Sequence, residues 1–182
     1  MNSWTGAQAS SIQNLNQKND PPFLDARSPG AHCIQAFEFM FDDLIGNDFG
    51  SGSEDCLHMN IYVPKSALRQ EHRQLPVYVY FHGGAFLLGS NSDIDGAKIA
   101  YEQDIIIVIA NYRLGVFGFW FSDQILHSED STDSGNQGIL DQQCAMKWVR
   151  DFIYYFGGEP SKVTIGGMSA GAQSIQTHLV VE

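Results

Sequence analysis

Long apolar runs are absent. The longest unbroken stretch, IIIVIA at 105–110, falls far short of the ~20 residues that a membrane helix needs. Positive charge is scarce: 10 Lys and Arg stand against 21 Asp and Glu, a formal net charge of −11. That balance opposes nucleic acid and anionic lipid, both of which require a cationic surface. Cysteine is nearly absent. Cys33, Cys56 and Cys144 form no Cys-x-x-Cys pair, which argues against a zinc ribbon, and any two of them can pair to leave one over. The 6 histidines lack metal-ligand spacing, and nothing in the sequence calls for a metal or another cofactor. The opening MNSWTGAQASSIQNLNQKND is polar and lacks the apolar core of a signal peptide.

Hydrophobic residues make up 43% of 182, enough for the core of one domain. Residues 1–30 show no hydrophobic period and read as a loose arm; 31–182 read as one domain. Phe37, Phe39 and Phe41 alternate briefly, and the Gly-rich acidic segment 46–55 reads as an exposed loop. Strands are expected at 59–63, 76–81, 105–110 and 163–165. The third is continuously apolar, as in a strand covered on both faces of a parallel sheet. Helices are expected at 94–103, 138–156 and 170–181, and loops at 65–74, 111–120 and 127–137. In the second helix Leu140, Cys144, Trp148, Val149, Phe152, Ile153 and Phe156 share one face, with Gly157, Gly158 and Pro160 as stop signals. Alternating strands and helices indicate an α/β fold with a parallel sheet.

Gly167-Met168-Ser169-Ala170-Gly171 is a G-x-S-x-G pentapeptide. A serine on a sharp strand-to-helix turn occupies strained backbone angles, and small residues on either side let strand and helix approach closely. The helix beyond it brings amide groups and a positive dipole end toward the hydroxyl. A chance match in a chain this rich in glycine has a probability on the order of 10%. The context is what gives the match weight: KVTIGG reads as a strand and AGAQSIQTHLVV as a helix.

A second feature, Tyr80-Phe81-His82-Gly83-Gly84-Ala85-Phe86, follows a strand. Acyl transfer passes through a tetrahedral oxyanion, which fixed backbone N–H groups stabilise. A serine hydroxyl also needs a general base, usually a histidine held by a carboxylate. His178 lies along the same helix as Ser169 and reads as a helix-surface residue. His82 reads as a brace for the glycine loop.

Five blocks together resemble the type-B carboxylesterase/lipase family, which includes the cholinesterases. They are SEDCLHMNIYVP (53–64), FHGGAFLLG (81–89), NYRLGVFGF (111–119), GNQGILDQ (135–142) and the segment 156–174 that carries the pentapeptide. The resemblance spans roughly residues 30–180. It implies an α/β-hydrolase fold, a mostly parallel central sheet flanked by helices, with the C-terminal half missing. It implies an ester hydrolase acting on a small-molecule carboxylic ester through an acyl-enzyme on Ser169. Its oxyanion hole would use the amides of Gly84, Ala85 and Ala170, with Gly83 setting the loop. It further implies a Cys33–Cys56 disulfide, which suggests an oxidising compartment, and a structural ion pair between Arg113 and Asp141. The family's catalytic acid and histidine have no counterpart in this sequence, so negligible turnover is expected of this chain alone.

The sequence departs from the family at informative places. Ala85 replaces the third glycine of the oxyanion loop, and Met168 replaces a usually polar or acidic residue before the serine. The segment between Cys33 and Cys56 holds phenylalanines and no tryptophan, which argues against choline esters as substrate. The competing reading is a non-catalytic, cholinesterase-like binding or adhesion protein. The retained Ser169 weighs against it.

Overall fold

The computed structural model describes residues 28–35, 52–69, 74–121 and 135–180. Phe37, Phe39 and Phe41, most of the 1–30 arm and most of the loops at 46–55 and 127–137 lie outside them.

The described elements run in the order β1 (Met59–Tyr62), α1 (Lys65–Arg69), β2 (Leu75–Phe81), α2 (Ala97–Gln103), β3 (Ile106–Ala110), α3 (Gly115–Phe119), α4 (Gln137–Phe152), β4 (Gly158–Gly167) and α5 (Ala170–His178). The sheet order is β1-β3-β2-β4. β2 pairs in parallel with β3 and β4, while β1 runs antiparallel to β3. From β2 the chain moves to one side to form β3, then crosses to the other side to form β4. In open α/β sheets, sites form beyond the carboxyl ends of strands at such a reversal. Phe81, the last residue of β2, pairs with Gly167, the last of β4. The HGGA loop and the serine turn therefore leave the sheet side by side.

The core follows the period-2 geometry of the strands. Val77, Val79 and Phe81 join Ile106, Val108 and Ala110 on one face, packed with Ala145, Val149 and Ile153 of the helical layer. Ile107 and Ile109 point to the other face, toward Ala100 of α2 and the half-buried Tyr78 and Tyr80. All five residues of β3 are buried, in keeping with its continuous apolar sequence. Cys33 and Cys56 are joined by a disulfide, and both are buried.

Four local expectations are corrected. Residues 65–69 form the short helix α1 rather than a connector. Residues 115–119 form the helical turn α3 within the expected 111–120 loop, closed by bonds from Gly118 N to Leu114 O and from Trp120 N to Val116 O. β4 has ten residues instead of three and includes Pro160. Its register against β2 shifts between Leu75 and Val77, so the proline, which has no N–H, falls where the ladder is already interrupted. The buried face of α4 consists of Gly138, Asp141, Gln142, Ala145 and Val149. Of the expected stripe, Leu140, Cys144 and Trp148 are only half-buried and Phe152 is 41% exposed. Hydrophobicity misplaces this face because two of its buried members are polar and find their partners in the interior.

Candidate active site

Ser169 joins β4 to α5 at φ 53°, ψ −117°, outside the conformations that L-residues favour. The flanking glycines account for the tight turn. A methyl at Gly167 would stand 2.6 Å from the Gly171 carbonyl carbon, and one at Gly171 would collide with the Phe81 carbonyl oxygen. The Ser169 side chain is exposed, whereas Ala170 is buried.

The HGGA loop lies directly against this turn. A methyl on Gly83 would be 2.8 Å from the Met168 carbonyl oxygen and 3.2 Å from Ser169 Cβ. Gly84, Ala85 and Phe86 all have positive φ, at 112°, 56° and 62°. Two of these are non-glycine residues, so surrounding contacts must hold the loop in place. Leu87 N and Leu88 N donate to Gly84 O, and Gly115 N donates to Phe86 O. Gln35 clamps the far end, donating from Nε2 to Gly89 O and accepting from Gly89 N, both at 3.1 Å. Among the described residues, no acceptor takes the amide hydrogens of Gly84, Ala85 or Ala170.

His82 is fully buried at the start of the loop. Its Nδ1–H donates to Gly83 O at 2.8 Å, and its ring stacks on Tyr112 with centroids 4.4 Å apart. Tyr112 returns a hydrogen bond from its hydroxyl to His82 O at 2.8 Å. Burial pushes the His82 pKa down, the Gly83 hydrogen bond opposing it, and burial pushes the Tyr112 phenol up. Both rings are therefore neutral struts near neutral pH.

Arg113 and Asp141 form a two-pronged ion pair, with Nε and Nη2 each 2.7 Å from a carboxylate oxygen. The Arg113 backbone amide adds a third bond to the same carboxylate. The pair fastens the segment after β3 to α4.

His178 departs from the helix-surface reading. It is half-buried, its Nε2–H donates to Gln142 Oε1 at 2.8 Å, and its ring packs against Phe81. Neither His178 nor His82 is hydrogen-bonded to Ser169. Sequence reasoning missed Gln35, Gln142 and Ser174, because isolated amide and hydroxyl residues carry no pattern of their own.

The carboxylesterase family profile matches residues 17–182. The chain belongs to the carboxylesterase family. It is similar to the para-nitrobenzyl esterase of Bacillus subtilis (strain 168), at 42% identity over 87% of this chain and 31% of that protein. It is also similar to the cocaine esterase of Oryctolagus cuniculus, at 40% identity over 86% of this chain and 29% of that enzyme. Among solved structures, a PNB esterase superposes with a TM-score of 0.69 at 41% identity, covering 84% of this chain and 29% of that one. The fold is thus that of the α/β-hydrolase carboxylesterases. This carboxylesterase-family chain spans less than a third of the length of these relatives. The family match begins at residue 17, inside the segment read as a loose arm. No helix among the described residues is long and apolar enough to cross a membrane.

Proposed function

We propose that the protein hydrolyses carboxylic esters through an acyl-enzyme on Ser169. The observation that carries this reading is the approach of the two chain segments: a methyl on Gly83 would lie 3.2 Å from Ser169 Cβ, while among the described residues nothing accepts from the Gly84, Ala85 and Ala170 amides. Ser169 Oγ attacks the ester carbonyl carbon, its proton passes to a base, and the carbonyl oxygen becomes an oxyanion that faces the three amides. Collapse expels the alkoxide, which leaves as the alcohol once protonated. Water, deprotonated in the same way, then attacks the acyl carbon and returns Ser169 Oγ–H with release of the carboxylic acid. Neither His82 nor His178 serves as that base, since both are hydrogen-bonded to groups other than Ser169.

The residues bordering Ser169 favour a neutral ester. Met168 is 61% exposed beside the serine and offers an apolar thioether.

Capture by a fluorophosphonate probe tests the proposal. The capture needs one event per molecule, so even a slow reaction registers. Peptide mass spectrometry is expected to place the adduct on Ser169, and Ser169→Ala is expected to abolish it. A folded protein that carries the base and stays unlabelled, or is labelled on another serine, overturns the reading.

A further inference from the structure

We infer that Gln142, Ser174 and His178 are positioning residues that hold the first turn of α5, and with it the Ala170 amide, at the angle the oxyanion requires. This inference rests on the acyl-enzyme reading above. Its basis is a one-way chain of hydrogen bonds through the interior. His178 Nε2–H donates to Gln142 Oε1 at 2.8 Å. Gln142 Nε2 donates to Ser174 Oγ at 3.0 Å, and Ser174 Oγ–H donates to Ala170 O at 2.9 Å.

The direction is fixed by chemistry. The Ala170 carbonyl can only accept, so the Ser174 hydroxyl must donate to it and accept from Gln142. The Gln142 amide is then oriented with its oxygen outward, and His178 must carry its proton on Nε2. Bonds aligned in this manner polarise one another, and each member constrains the next.

Burial makes the arrangement informative. Gln142 and Ser174 are both fully buried. Burying an amide and a hydroxyl is unfavourable unless every group is satisfied, and apolar residues of similar size would fill the same space without that demand. What the polar set adds is direction. It ties α4 to the first turn of α5, where Gly171 N already donates to Met168 O. The Ala170 N–H projects from that turn.

The test uses Gln142→Leu, His178→Leu and His178→Gln in the full chain, with two readouts. One is hydrogen exchange of the Gly171 amide, which donates to Met168 O and shares its peptide with the Ala170 carbonyl, compared with that of the core amide Val79. The other is the rate and apparent affinity of fluorophosphonate capture at Ser169. Both leucine variants are expected to speed Gly171 exchange relative to Val79 about fivefold to tenfold, the effect of one lost hydrogen bond. Capture should slow by a similar factor with the probe's affinity unchanged. His178→Gln keeps an N–H aimed at Gln142 Oε1 and is expected to restore both readouts to within about twofold of the parent. Gly171 and Val79 exchange changing in step, or His178→Gln behaving like His178→Leu, overturns the inference. If Gln142→Leu does not fold, the half-buried His178 pair decides alone. A protein that carries the base yet resists capture, while Gly171 exchange responds as expected, supports the positioning chain and refutes the acyl-enzyme reading.

Discussion

Gly83 and Ser169 leave no room for a side chain between them: a single methyl added to Gly83 would lie 3.2 Å from Ser169 Cβ. Two segments far apart in sequence meet there because β2 and β4 are parallel neighbours that end in register, Phe81 against Gly167. The candidate site thus follows from sheet topology, and the loop chemistry is added to it.

Gly83→Ala tests that contact. The methyl would also press to 2.8 Å from the Met168 carbonyl oxygen, which belongs to backbone and cannot rotate away. The expected result is a loss of about 1–3 kcal/mol in stability. Capture at Ser169 should fall by more than tenfold under conditions where the variant is still folded, because the displaced loop carries the Gly84 and Ala85 amides. Unchanged urea midpoint and capture rate would show that the loop does not meet the turn.

Ser169→Gly separates strain from function. The positive φ of 53° costs a serine energy that a glycine avoids. Relief of about 1–3 kcal/mol outweighs the added unfolded-state entropy, leaving a net gain of about 1 kcal/mol. The melting temperature should rise by about 2–4 °C while capture disappears. A melting temperature below that of the parent contradicts the strained turn.

Asp141→Ala strips the buried side of the ion pair and leaves the Arg113 guanidinium, 24% exposed, without its partner. The expected cost is about 3 kcal/mol by urea unfolding. The double variant Asp141→Leu with Arg113→Met should recover most of that loss, since apolar replacements remove the uncompensated charge. A cost below about 1 kcal/mol would assign the pair no structural role.

Stability should also depend on pH through His82 and His178, both lowered in pKa by burial. A histidine whose folded value lies below its unfolded value near 6.5 binds its proton more readily when unfolded. The stabilising difference is therefore complete above pH ~6.5 and is lost as pH falls through the lowered folded values. Protonating His82 would also bury an Nε2–H with no acceptor among the described residues. Urea midpoints measured from pH 7.5 down to 5 should decline, and His82→Phe should reduce the slope. Midpoints that rise on acidification would reverse the assignment.

Much of this was legible from local pattern. The apolar run at 105–110, the strand-turn-helix setting of Ser169 and the Gly-rich loop after β2 each announce themselves within about ten residues. Gly157 stops the helical run in the left-handed conformation, with φ 81°. What sequence could not supply is whatever depends on distant partners. The α4 face was misjudged because Asp141 and Gln142 are buried by virtue of Arg113 and Ser174. His178 looked like a surface residue because its partner Gln142 lies on another helix. The Gln35 clamp on Gly89 joins two loops that no periodicity connects.

The most direct measurement is a crystal structure of the chain after phosphonylation. A phosphonyl oxygen on Ser169, about 2.7–3.1 Å from the amide nitrogens of Gly84, Ala85 and Ala170, is the predicted result. An adduct whose oxygens face solvent, with those amides bonded elsewhere or turned away, would contradict it.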